Sequence, residues 1–181
     1  YVQSQARTSD VVVGLFFPGE LERRCRALGL PTYVLPMRSR IDMRIVRHVL
    51  NVSRDERIDI YHTHHVRTTL AARLASAVDH RPVVTHVHSP AFRESTRRGW
   101  DLLTGSVDRV LARRTDRFIC VSQGLANELI RLGIDQRRIR VVFNGVPGSL
   151  LQDRDAGERG DVRAEFGLPT DVPVIAMLAQ F

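Results

Sequence analysis

Lysine is missing altogether from these 181 residues, so all 27 basic side chains are arginine; against 20 acidic ones they leave a formal charge of +7. Such usage can reflect nothing more than a GC-rich genome, but arginine is also the side chain that grips carboxylates and phosphates through two parallel hydrogen bonds. A basic surface of this kind fits nucleic acid, an anionic membrane surface or phosphorylated small molecules. Aromatic residues are scarce at 6%. With neither Arg-aromatic interleaving nor a recognition-helix motif, nucleic acid drops out of that set. Only two cysteines occur, Cys25 and Cys120, far apart and each inside an apolar pattern. That excludes a disulfide-stapled secreted scaffold and predicts a reducing, cytoplasmic setting. Long apolar runs are lacking too: none approaches the roughly 20 residues of a membrane span, and no signal-peptide pattern opens the chain. Neither an internal repeat nor a low-complexity tract occurs.

What is present is an alternation. The hydrophobic content of 43% and charged content of 26% are ordinary globular values, and the length suffices for one well-cored domain but not for two full-sized ones. The segments "DVVVGLFF" (Asp10 to Phe17), "PTYVLP", "RIDIYHTH", "PVVTHVH", "DRFICVS" and "RIRVVFNGV" read as strands. Between them, apolar residues recur at helical spacing. Leu21, Cys25 and Leu28 share a face closed by Gly29, and Ile41, Ile45, Val49 and Val52 form a second stripe. Leu70, Leu74 and Val78 mark the buried side of a helix over 66–78. Trp100, Leu103, Val107 and Leu111 lie on a long amphipathic helix from Glu94 to Arg114. Leu125, Leu129 and Leu132 belong to a helix capped by Ser122 and ended by Gly133. Six strands alternating with five helices predict an α/β fold, a doubly wound Rossmann-like parallel sheet. This domain takes residues 1–146. Residues 147–160, poor in apolar side chains, read as a linker. Residues 161–181, with a short helix near Val162 to Phe166 and the strand-like "VPVIAMLAQF", read as the start of a second domain.

Five of the seven histidines stand at two strand ends, in "IYHTHHVR" and "VVTHVHSP". Ligands of open parallel sheets bind beyond the carboxyl ends of the strands. Side chains alternate along a strand, so His62 and His64 share one face, as do His86 and His88. Should the two strands be neighbours, several imidazoles, Arg67 and Ser89 converge on one crevice. Three readings are open. His62 and His86, set deeper, suit the satisfaction of backbone groups. Two or three neutral imidazoles can bind zinc, but no carboxylate or cysteine stands beside the clusters and a two-residue spacing on adjacent strands is no known zinc pattern, so no metal is expected. The third reading is a polar substrate site, with His64 and His88 as hydrogen-bonding or proton-handling groups near the ordinary imidazole pKa of about 6.5. His88, directly before Ser89-Pro90 where the chain leaves the sheet, is its strongest candidate. On the long helix, Arg97, Arg98, Arg109, Arg113 and Arg114 read either as a solvated face or, with Trp100 at the interface, as a contact to phospholipid headgroups or a phosphorylated acceptor.

Four segments in order, "DIYHTHHVRTTLAARLA", "PVVTHVHS", "TDRFICVSQGLANELIRLGI" and "RIRVVFNGV", resemble the amino-terminal domain of glycosyltransferase family 4, enzymes of the GT-B fold. The likeness runs from about Asp10 to Val146 and continues into "RAEFGLPTDVPVIAML". The resemblance implies retaining transfer of a hexosyl group from a nucleotide-sugar donor to a glycan, lipid or small-molecule acceptor, with no cofactor beyond that donor substrate. It implies that His88 lines the catalytic cleft and that His64, His65, Arg67, Ser89 and Arg93 lie on the acceptor side. Ser122, Asn144 and Gly145 fall at the cleft between the domains. The resemblance also implies a first strand and Gly-rich loop before the sequence given and a donor-binding domain after it, so that these 181 residues alone are expected to be inactive. Ala179-Gln180 stands where the family commonly has Gly-Arg. A cytoplasmic location, with peripheral contact to an anionic membrane through the arginine-rich helix, completes the expectation.

Overall fold

The computed structural model describes residues 9–37, 42–89, 111–146, 148, 162–170 and 172–174. Over the first of two units, which divide between Phe143 and Asn144, strands and helices alternate. β1 (Val13–Leu15), α1 (Glu20–Ala27), β2 (Thr32–Val34), α2 (Arg44–Asp55), β3 (Tyr61–Thr63), α3 (Val66–Asp79), β4 (Val83–Val87), β5 (Arg117–Cys120), α4 (Gln123–Arg131) and β6 (Ile139–Val141) follow in that order. Two short 3-10 turns, Ala112–Arg114 and Gln136–Arg138, lead into β5 and β6.

Among the described residues every strand pair is parallel. The α/β architecture read from the sequence is therefore present, with its hydrogen-bonded strands falling into a two-stranded sheet β1-β2 and a four-stranded sheet in the order β3-β4-β5-β6. Helix ends follow the local chemistry. Ser122 accepts a hydrogen bond from the Leu125 backbone N–H at the start of α4. Gly29 and Gly133 take φ values of +73° and +88° directly after α1 and α4, a backbone region open to glycine without steric cost.

Among the described residues, the buried apolar clusters of the four-stranded sheet lie on one of its faces. There α3 lays Ala72 and Ala75 against Tyr61 and Val83, while α4 lays Ala126 and Leu129 against Phe118, Cys120 and Ile139. Leu35, Ile45 and Ala71 continue the packing between β2, α2 and α3. Two helical faces differ from the periodicity reading. On α3 the buried positions are Thr69, Ala71, Ala72, Arg73, Ala75 and Ser76, whereas Leu70 and Val78 are exposed, Val78 at 63%. Small residues win because α3 is gripped on two sides, by the sheet and by α2, and only alanine-sized side chains permit both approaches. On α1, Cys25 alone is buried and Leu21 and Leu28 lie outside, since a helix of two turns against a two-stranded sheet has one line of contact. Ile41 and most of the helix expected over Glu94 to Arg114, Trp100 included, lie outside the described residues.

In the second unit a helical turn spans 162–165. Gly167 follows with φ +61°, and the Arg163 guanidinium donates to the carbonyls of Pro169 and of Val172, the latter at 3.1 Å. The strand expected from Val172 onward falls outside the described residues beyond Val174.

Candidate functional site

β3 and β4 are direct neighbours, in register Tyr61↔Val83, His62↔Val84 and Thr63↔Thr85. Strand alternation then fixes two faces. Tyr61, Thr63, Val83, Thr85 and Val87 point into the core under α3 and α4, and the even-numbered residues point the other way. At the carboxyl ends this second face carries His62, His64, His86 and His88 as one stack of rings. Centroid distances are 4.6 Å for His62–His64, 5.1 Å for His64–His86 and 4.3 Å for His86–His88. His62–His86 and His64–His88 close the group at 6.0 and 5.5 Å. A hydrogen bond of 3.2 Å joins His64 Nδ1 and His88 Nε2, one ring donating N–H and the other accepting through its bare nitrogen.

The stack has a stiff backing. On the opposite face Thr63 Oγ1 lies 2.9 Å from Thr69 Oγ1 and 3.2 Å from Thr85 Oγ1, so three buried hydroxyls tie β3, β4 and α3 together directly behind the imidazoles. His86 is buried, His62 half-buried, and His64 and His88 open to solvent. The sequence reading separated the deeper His62 and His86 from the outer pair; the structure brings all four together. Spacing alone could reveal which rings share a face of each strand, but only the pairing of β3 with β4 brings the two sets within contact.

Proximity governs the protonation of the group. Loss of hydration on burial, reinforced by His88, holds His62 below the ordinary imidazole value. Burial, with His88 and His62 adding to it, does the same to His86. His64 is exposed at its edge, but its ring is flanked by His62 and His86; loss of hydration first, then repulsion from His62, His86 and His88, brings it down to about 4. At neutral pH His62, His64 and His86 are therefore uncharged, each with one N–H donor and one nitrogen lone pair. Such a surface suits hydroxyl groups or a metal cation. His62, His64 and His86 each offer one nitrogen, and these atoms lie within 4.8 Å of one another.

The other predicted site residues are placed as follows. His65 is the N-cap of α3: its side chain accepts from the Arg67 N–H, and Thr68 Oγ1 accepts from the His65 N–H at 3.2 Å. Arg67 sits half-buried in the first turn of α3, and Ser89 is exposed directly after His88. Ser122 is engaged as the cap of α4. Asn144 and Gly145 are exposed at the start of the second unit. Arg93 lies outside the described residues.

A surface cavity of about 300 Å³ opens at the other end of the same sheet, lined by Ser76, His80, Arg81, Pro82, Arg113, Arg114 and Asp116. Its residues precede β4 and β5 rather than follow them. Ligand sites of open parallel sheets form at the carboxyl ends, so the imidazole stack is the better candidate site. Among the described residues no helix is long and apolar enough to cross a membrane.

Comparison with known proteins gives a consistent picture. At 28% identity over 163 residues, 88% of this chain and 42% of the relative, the sequence is similar to the UDP-Gal:alpha-D-GlcNAc-diphosphoundecaprenol alpha-1,3-galactosyltransferase of Escherichia coli. It is similar, again at 28% identity, to the alpha-maltose-1-phosphate synthase of Mycolicibacterium smegmatis over 136 residues, 71% of this chain and 35% of that protein. The fold matches the crystal structure of Anabaena Alr3699/HepE in complex with UDP and glucose, with a TM-score of 0.71 at 20% identity over 91% of this chain and 44% of that one. The chain thus spans less than half the length of these relatives and corresponds to half of a GT-B glycosyltransferase fold. The model of the family described as Glycosyltransferase Family 4 matches residues 7–149, which is most of the sequence, and the chain belongs to that family.

Proposed function

We propose that this chain is the acceptor-side half of a retaining hexosyltransferase, which moves a sugar from a nucleotide-diphosphate donor onto a glycan, lipid or small-molecule acceptor. The observation that carries the reading is the stack of four imidazoles at the carboxyl ends of β3 and β4, in a chain of this family. Breaking a bond between an anomeric carbon and a diphosphate requires stabilisation of charge on the leaving phosphate and alignment of an attacking hydroxyl. Imidazoles held uncharged, as those of His62 and His64 are, serve the second requirement, because a neutral ring can orient a hydroxyl through one hydrogen bond without competing for the diphosphate. His88, outermost in the stack and hydrogen-bonded to His64, is assigned to the cleft beside the transferred sugar. His64, Arg67, Ser89 and Arg93 are assigned to the acceptor, with His65 contributing from the cap of α3. Ser122, Asn144 and Gly145 border the cleft toward the second domain, which this reading starts at residue 161 after a linker over 147–160. The donor's diphosphate and nucleotide are then held mainly by groups outside these residues. The E. coli relative's name describes a lipid-diphosphate-linked sugar, which makes an acceptor of that class one candidate here.

The excess of arginine, +7 overall, favours a second reading: a non-catalytic module that holds an anionic lipid or glycan. The two are separated by assaying the product of the complete reading frame for transfer and hydrolysis over a panel of nucleotide-diphosphate sugars, with His88→Ala beside it. The enzyme reading expects turnover that falls by about two orders of magnitude in the variant, the scale of one positioned polar group. A folded protein with no turnover on any donor would shift the assignment to the binding module.

A further inference from the structure

We propose that His62, His64 and His86, with His88 as a fourth nitrogen, form a binding site for a divalent cation of the zinc class. The sequence reading set metal aside because imidazoles two residues apart on neighbouring strands match no zinc spacing and lack an acidic partner. The side-chain geometry answers the first objection. Zinc holds imidazole nitrogens at about 2.0–2.1 Å, so two ligands on one tetrahedral ion stand about 3.3 Å apart. Here the nitrogens of His62, His64 and His86 lie within 4.8 Å of one another, and His64 Nδ1 and His88 Nε2 are already at 3.2 Å. Rotation of the imidazoles about their side-chain bonds closes the remaining gap, while the strands stay fixed by the Thr63, Thr69 and Thr85 hydroxyls behind them.

The second objection turns into a selectivity statement. The group that converges among the described residues is wholly imidazole. Three imidazoles, with His88 or a water in the fourth position, are a donor set that zinc accepts. Calcium and magnesium demand oxygen ligands and are not served by it. The inference stands on imidazole geometry and holds whether or not the chain transfers sugar. Because the cation and an acceptor hydroxyl would use the same nitrogens, the two should compete where transfer does occur.

The test is Zn²⁺ titration of the chelator-stripped, purified protein by calorimetry, with Co²⁺ as a coloured stand-in. One Zn²⁺ per chain is expected, at an affinity on the order of micromolar or tighter, weakened at least about tenfold in His64→Ala and in His88→Ala. His48→Ala, at an exposed position on α2, should bind as the parent does. Bound Co²⁺ should give the strong visible bands of a four- or five-coordinate nitrogen site. Absence of saturable binding, equal affinity in all three variants, or loss in His48→Ala as well would overturn the proposal. Should circular dichroism show that His64→Ala and His88→Ala do not fold, the parent's Co²⁺ spectrum decides alone: weak, six-coordinate bands would count against the site.

Discussion

At the amino-terminal end of the four-stranded sheet, Tyr61 donates its hydroxyl to Asp79 at 2.6 Å, Arg81 pairs with the same carboxylate at 2.7 Å, and Asp116 accepts from the Val83 N–H at 2.7 Å. Buried Arg73 donates to Thr115 at 2.8 Å, and Arg138 reaches the carbonyls of Ala112 and Thr115. Opposite charges meet there, and each fixes the other. At the carboxyl-terminal end of the same strands, four like side chains are stacked ring on ring, and burial together with mutual repulsion discourages any of His62, His64 and His86 from taking a proton. The first arrangement is self-satisfied and serves to hold strands, helices and turns in place. The second gathers the ring nitrogens of His62, His64 and His86 at the strand ends, a group suited to a ligand. On the proposed reading, stability and ligand binding fall at opposite ends of β3 and β4, with the threonine hydroxyls between them.

Replacing Asp79 by Ala should break the contrast most visibly. It strands the Tyr61 hydroxyl and the Arg81 guanidinium, at a cost of about 2–3 kcal/mol for charge-assisted hydrogen bonds; a denaturant midpoint equal to the parent's would mean that the amino-terminal end is not the structural one. Thr63→Val, at the boundary between the two ends, should cost about 1–2 kcal/mol by leaving Thr69 and Thr85 hydroxyls without their shared partner. If the imidazoles depend on that backing, the same variant should also weaken ligand or cation binding at the stack, and unchanged binding would show the two ends to be mechanically separate.

Tyr61→Phe sharpens the comparison through pH. Burial first, and then the hydrogen bond to Asp79, push the Tyr61 phenol up to about 12, against about 10 in an unfolded chain. A group whose folded value is raised contributes stability that is complete below about pH 10 and lost as pH rises through 12. Unfolding midpoints of the parent should fall across that window, and those of Tyr61→Phe, lower by about 1 kcal/mol at neutral pH, should fall less steeply; parallel curves would refute the assignment. Asp79 governs the acid side. Burial raises its carboxyl, but hydrogen bonds from Tyr61 and Arg81 outweigh this and hold it below its ordinary value, so its contribution is present above the carboxylate range and fades as pH falls through the folded value. The smallest effect is expected at the other end: His64→Ala should leave stability within about 0.5 kcal/mol at pH 7 while impairing binding. A large loss of stability would make the imidazole stack a structural device after all.

Much of the fold was legible because hydrophobic period and punctuation are local quantities. The strands around Tyr61, Val83 and Phe118, the Ser122 cap and the Gly29 and Gly133 stops follow from which residues stand next to which. Where the reading of α3 went astray, the cause was not local. Leu70 and Val78 have the right spacing for a buried stripe, but the helix is held on two sides and alanines take the contact, with Arg73 drawn into the core by Thr115. For the candidate site, each histidine's strand face and its position at a strand end were legible in the sequence from side-chain alternation alone. It could not show that His64 would lie beside His86, because that depends on the register between segments some twenty residues apart in sequence.

By itself, then, the sequence determined the alternating α/β elements, the family through four ordered motifs, and the identity of the imidazoles that share a face within each strand. These depend on side-chain alternation and helical period, which are properties of the chain alone. Tertiary structure decided that β3 and β4 pair in parallel, that two histidine pairs become one stack, and that a set of nitrogens converges closely enough to act on a common ligand. Such convergence is a property of distances through space, and hydrogen bonding between strands is the step that turns two separate spacings into one site.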